Sequence, residues 1–140
     1  MEDVKIVAEV IKGKRRSSAL PKYFASDFAI MEHSIFSLME MLCESYNGGY
    51  WEFVALDNEC FFMYPSSEQN FILHGFANGN EGSVSAEAAG IVVCLYAYNH
   101  RANSRSVTAS VSNHYCDLFY KLRDYALQHP ESSMILKLID

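Results

Sequence analysis

Between Tyr46 and Pro65 the chain reads YNGGYWEFVALDNECFFMYP. Two short apolar runs with several aromatic residues flank the polar triplet Asp57-Asn58-Glu59, which is the pattern of two strands joined by a tight turn. The pair Gly48-Gly49 stands in front of them and closes off the preceding segment, since glycine reaches left-handed backbone angles without steric cost. Upstream the period changes. In DFAIMEHSIFSLMEMLCES, residues 27–45, Phe28, Met31, Ile35, Leu38, Met39 and Leu42 recur every three or four positions. That spacing predicts a helix with one buried face, capped by Ser26 or Asp27, with His33, Ser37, Glu40 and Glu44 turned to solvent.

Downstream, further strands are expected near 70–75 and 80–84, separated by turns at Pro65-Ser66-Ser67 and at NGNEG, residues 78–82. Ser85 caps the next helix, AEAAGIVVCLYAYNH, whose nearly unbroken apolar run from Ala88 to Ala97 predicts burial in the core. A polar loop over 99–106 leads to a third helix ending near Gln128, and Pro130 separates it from a last helix over 131–139. This order argues for an α+β fold: a single domain over residues 23–140 in which a small antiparallel meander of three to four strands is covered by about four helices. Residues 1–22 contain a short helix or strand near Val4 to Ile11, then Gly13, a basic cluster and Pro21, and read as an N-terminal arm.

With 140 residues, half of them hydrophobic and a fifth charged, the chain can bury a core without disulfides or metal. The cysteines Cys43, Cys60, Cys94 and Cys116 are far apart and read as reduced thiols. Neither a leader pattern nor a run of about 18 apolar residues is visible, so a cytoplasmic protein is expected, with no membrane contact. The net charge of −6 is unevenly spread. Residues 23–100 hold 10 acids and no lysine or arginine; residues 1–22 hold 3 acids and 6 bases, and residues 101–140 hold 4 and 5. Either this is an accident of a modestly charged chain, or it marks an acidic face for a basic partner. Strong direct binding to DNA is not expected, because such a surface repels phosphates.

Catalytic signatures are missing: no nucleophile elbow, phosphate-binding glycine loop or paired metal-ligand histidines are visible. His114 and Cys116 sit two residues apart, about 200° apart on a helix, and do not share a metal there. The chain is therefore read as a non-enzyme with no cofactor. Glu32 falls at about 40° on the helical wheel from Phe28, at the edge of the apolar face. It either snorkels to water or takes a cation, and Arg15 and Arg16 are the nearest candidates. Trp51 at the start of its strand is either a core residue or, with Tyr46 and Tyr50, part of a binding rim; with Asp57 and Glu59 these aromatics form the expected partner-binding face.

Four stretches, LPKYF at 20–24, YNGGYWEF at 46–53, SAEAAGIVVCLYAYNH at 85–100 and LRDYALQHPESSMILKLID at 122–140, resemble the ArdB/KlcA antirestriction family over nearly the whole chain after the first dozen residues. The resemblance implies a mixed α/β domain from mobile DNA such as plasmids, inhibiting bacterial type I restriction-modification enzymes to protect incoming DNA. It carries over no catalytic set. The expected partner is the type I enzyme or an associated host protein. A globule of this length spans roughly 35 to 40 Å, so complete duplex mimicry would want about 20 aligned charges. The chain has 17 acids in all, several on opposite faces, so local docking is the preferred reading over full mimicry. An enzyme or indirect regulator acting on the host system is the alternative, and DNA contact through Lys12, Lys14, Arg15 and Arg16 a third.

Overall fold

The computed structural model describes residues 5–75 and 79–140. The decisive stretch forms the expected hairpin. Strand β2, Trp51–Leu56, pairs antiparallel with β3, Cys60–Pro65, with Trp51 opposite Pro65 and Leu56 opposite Cys60. Its turn is closed by the Glu59 N–H donating to the Leu56 carbonyl at 3.1 Å, with Glu59 in the left-handed region at φ 64°. On the other side β2 pairs with β1, Ala8–Ile11, giving the order β1-β2-β3. Strands β4, Phe71–His74, and β5, Glu81–Val84, form a separate two-stranded sheet. Of the turn expected over 78–82, residue 78 lies outside the described residues.

The split into two sheets has a local cause. Helix α3, Ala86–Ala102, lies along the free edge of β3 and occupies the place where β4 would have to pair. Gly90, Cys94 and Tyr98 stand four residues apart on one stripe of that helix. Gly90 lets the backbones touch, the Cys94 thiol donates to the Met63 carbonyl at 3.7 Å, and the Tyr98 hydroxyl donates to the Phe61 carbonyl. Edge carbonyls that another strand would have taken are thus satisfied by side chains of a helix.

Residues 8–24 are not an arm. Besides β1, they supply α1, Arg16–Phe24, which buries Ala19, Leu20, Tyr23 and Phe24. Tyr23 stacks on Phe61 at 5.0 Å between ring centroids, and Phe24 meets the same ring edge-on at 5.7 Å. Pro21 does lie inside the helix, yet it removes only one backbone hydrogen bond, and burial of the two aromatic side chains outweighs that loss.

Helix α2, Phe28–Leu42, buries Met31, Ile35, Leu38, Met39 and Leu42, as its spacing predicts; Phe28 is exposed. Asp27 sits at its N-cap position but makes no cap bond. Its carboxylate instead accepts two hydrogen bonds from Arg101 at the end of α3, at 3.0 and 3.1 Å, and one from Tyr115 at 3.2 Å. A charged donor in a partly buried setting is a stronger partner than a backbone N–H, so the ion pair wins. Ser85 does cap α3, accepting from the Ala88 N–H at 3.1 Å. Helix α4, Ala109–Gln128, begins after Thr108, which accepts from the Val111 N–H at 3.3 Å, and α5, Ser132–Ile139, closes the chain. As expected, α3 is the core helix, apolar around nearly its whole circumference and packed by β3, α2, α4 and α5. Among the described residues no helix is long and apolar enough to cross a membrane.

Burial pushes the Cys60 and Cys94 thiols up to about 12. Unfolded thiols ionise near pH 8.5, so the folded state holds protons that the unfolded state sheds. The stabilising contribution is complete below about pH 8.5 and is lost as pH rises toward 12. Urea melts at rising alkaline pH are expected to show falling midpoints, less steeply in a Cys60→Ala variant measured against its own neutral-pH value. In the folded protein at neutral pH a thiol reagent is expected to modify Cys116, which is exposed, and to spare buried Cys43, Cys60 and Cys94.

Candidate functional site

The β2–β3 turn projects into an open groove of about 670 Å³ lined by Val7, Glu9, Lys22, Tyr23, Ala55, Leu56, Asp57, Glu59 and His114. Strand periodicity puts Val7, Glu9 and Ala55 on one face of the sheet, the face crossed by α1. Asp57 ties the groove's wall together. Its Oδ1 accepts the Val7 N–H at 2.9 Å, while its own N–H donates to the Val7 carbonyl at 3.0 Å. Asn58 fastens the turn to α4 by donating to the Lys121 carbonyl at 3.1 Å. His114 Nε2 lies 2.6 Å from the Tyr23 carbonyl; a carbonyl only accepts, so Nε2 carries the proton there.

Two of the expected partner-binding residues, Asp57 and Glu59, therefore share this groove, joined by Glu9. The sequence reading missed Glu9, Lys22 and His114 as neighbours of the turn. The alternation in IVAEVI is a strand signal that would have placed Glu9 on the same side as Val7, had the register with β2 been known. Arg15 does not reach Glu32; it pairs with Glu9 at 2.8 Å in an exposed position that contributes little stability.

The remaining candidates gather at the other end of β2. The Arg16 guanidinium lies 4.5 Å from the Tyr50 ring centroid and 4.1 Å from that of Phe53, and donates to the Trp51 carbonyl at 3.0 Å. Arg16 is thus spent as a clasp between α1 and β2. Trp51 is 3 % exposed, so the reading of its ring as part of an open rim is corrected. It packs edge-on against Phe36 at 5.2 Å and Tyr46 at 6.0 Å, and its Nε1 donates to the Tyr46 hydroxyl at 2.9 Å. The left-handed pair Gly48 and Gly49, at φ 90° and 118°, bends the chain so that Tyr46 can return over the indole. Tyr50 stays exposed. Glu32 borders a shallow groove with Arg16, Phe28 and Phe53, half-buried and without an ion pair to either arginine.

Elsewhere, side chains from two distant segments meet at the start of α3. Glu131 accepts from the Ser85 N–H at 2.8 Å and from the Ser85 hydroxyl. The Glu131 N–H donates to His129 Nδ1 at 3.0 Å, so Nε2 carries the proton and donates to Glu87 Oε1 at 2.9 Å. This closed set of contacts staples the α4–α5 turn to the helix start and spends its carboxylates internally.

A family model described as "Antirestriction protein" matches residues 44–140. YafX of Escherichia coli K12 is 40 % identical over 134 residues, covering 93 % of this chain and 85 % of its own length. The antirestriction protein KlcA of Escherichia coli is 34 % identical over 138 residues, covering 96 % and 94 %. A solved structure superposes with a TM-score of 0.90 at 32 % identity over the full length of both chains. It comes from work on the KlcA and ArdB proteins describing a novel fold and antirestriction activity against type I DNA restriction systems in vivo but not in vitro.

Proposed function

The chain belongs to the antirestriction protein family, and from that premise we propose that it protects incoming DNA in the cytoplasm by docking on the type I restriction machinery or an associated host protein. The observation that supports docking is the groove lined by Glu9, Asp57 and Glu59 together with Lys22 and Tyr23. Even with Lys22 in the lining and Arg15 on Glu9, the three carboxylates leave the groove net negative, which suits a lysine or arginine side chain of a partner. Among the described residues that line the groove there is no serine, threonine or cysteine beside a base, so binding explains its make-up better than turnover does. Duplex mimicry fits poorly because carboxylates are consumed inside the fold: Asp27 by Arg101, Glu87 by His129 and Glu131 by Ser85. Direct DNA contact through the basic cluster is disfavoured in part by Arg16, which is held on the Tyr50 and Phe53 rings.

Activity of the KlcA and ArdB proteins in vivo but not in vitro favours a second reading, in which the docking partner is a host component absent from purified restriction enzyme. Both readings put the binding energy in the groove. Glu9→Lys combined with Glu59→Lys reverses two charges without touching the Asp57 anchor, and Asp57→Asn keeps the Oδ1 acceptor while removing the charge. Protection of unmodified phage or plasmid DNA from restriction in cells is expected to fall on the order of tenfold in the double variant, the worth of about 1.4 kcal/mol of binding. Its thermal midpoint is expected to stay close to that of the parent, as for other surface changes. Full protection with all three charges removed would sink the groove as a docking site.

A further inference from the structure

The outer edge of β1 is unpaired over part of its length, and how it is closed elsewhere indicates what fits there. The Asp57 N–H to Val7 carbonyl bond fixes the parity of the strand: Val7, Glu9 and Ile11 direct their backbone groups toward β2. Ile6, Ala8 and Val10 therefore direct theirs outward. At Ile6 the side-chain amide of Gln128 fills the vacancy. Its Oε1 accepts the Ile6 N–H at 3.0 Å and its Nε2 donates to the Ile6 carbonyl at 2.8 Å. A carboxamide is chemically a peptide group, so Gln128 makes the pair of bonds that one residue of an adjacent strand would make. Past it, the N–H and C=O groups of Ala8 and Val10 have no hydrogen-bond partner among the described residues, and Ala8 is exposed. Val7, 59 % exposed, and Glu9 point their side chains from this same strand into the acidic groove.

We propose that β1 is a strand-addition site that takes an extended segment of a partner protein, with cationic side chains at alternate positions lying over Glu9, Asp57 and Glu59. Main-chain bonds to Ala8 and Val10 would hold the segment, and the period of two would send every second side chain toward the carboxylates. The partner's chemistry follows from the two parts of the site: the bare edge takes an extended backbone, and the groove, net negative even with Lys22 in its lining and Arg15 on Glu9, favours positive charge. This inference rests on the docking reading above and specifies the form of its ligand.

The test uses the full chain, labelled with nitrogen-15, and an octapeptide alternating lysine and threonine. Binding is expected to shift the Ala8 and Val10 amide signals and to slow their hydrogen exchange. The same peptide N-methylated at alternate residues, and an octapeptide alternating glutamate and threonine, are each expected to bind roughly tenfold or more weakly. Val10→Pro removes an outward N–H while leaving the β1–β2 bonds in place, as edge positions allow. It is expected to keep the thermal midpoint near the parent value and to lose both peptide binding and protection in cells. Equal binding of the N-methylated peptide, or of the glutamate peptide, would overturn the proposal. So would a concentration-dependent dimer that Val10→Pro abolishes without any peptide binding, since a second copy would then be the occupant. Full protection by a folded Val10→Pro variant alongside loss of protection by the Glu9→Lys, Glu59→Lys variant would overturn strand addition and leave groove docking standing. Full protection by both would remove the docking reading as well.

Discussion

Trp51→Ala is expected to destabilise the domain by about 3 to 5 kcal/mol, enough to unfold much of a marginally stable chain. The ring is 3 % exposed, wedged between Phe36 and Tyr46, and its removal leaves a cavity as well as an unpartnered Tyr46 hydroxyl. Trp51→Phe separates these effects. It keeps most of the packing and forfeits the indole bond, for a cost of about 1 kcal/mol plus a smaller cavity. Urea melts of the two variants give the stabilities, and restriction of unmodified phage in cells gives the function. Protection is expected to fall only in proportion to the unfolded fraction. A fully folded Trp51→Ala protein that no longer protects DNA would show that the indole acts as an interface anchor.

The second large effect is expected at Gly90. Alanine there gains about 1 kcal/mol in helix propensity, and in most exposed helices that would decide the outcome. Here a Cβ would stand 2.6 Å from Tyr64 Cα and inside contact distance of Tyr64 Cβ and the Met63 carbonyl oxygen. Most of those atoms are backbone or next to it, so rotamer changes cannot relieve the clash. Helix α3 has to leave the β3 edge, which also stretches the bonds from Cys94 and Tyr98 to the Met63 and Phe61 carbonyls. A net loss of about 3 kcal/mol is expected, measured by denaturant melts. The neighbouring Ala89 is fully buried, so Ala89→Gly loses a packed methyl as well as helix propensity and should cost about 1 to 2 kcal/mol. A Gly90→Ala protein as stable as the parent would mean that α3 does not sit against β3 as described.

The absence of lysine and arginine between residues 22 and 101 acquires a partly architectural cause. Much of that stretch is β2, β3 and α3, where nearly every side chain is buried and a long cation would have no place. The acids that remain within it, such as Glu40, Glu44, Asp57 and Glu59, lie at its surface in helix faces and turns. A basic-free segment thus arises wherever core elements are consecutive in sequence, and the acidic groove is a local feature placed on top of that.

Local chemistry was sufficient for several elements. The β2–β3 hairpin, the amphipathic α2, the Ser85 cap and the buried α3 each follow from short-range periodicity and turn residues, so the α+β class could be read directly from the chain. The fate of residues 8–24 could not. Four residues of β1 and a helix containing Pro21 carry weak intrinsic preferences, and what makes them ordered is a pairing with β2 more than forty residues away and burial against Phe61. The same holds for the side chains with a choice of partner. Asp27 reads as a helix cap until Arg101 arrives from across the chain, and Arg16 reads as a cation for Glu32 until the rings of Tyr50 and Phe53 are in reach. Intrinsic propensities act over a few residues and are written in the sequence. Which of several competing contacts a polar side chain makes depends on distances set by the whole packed core, and those exist only in the tertiary structure.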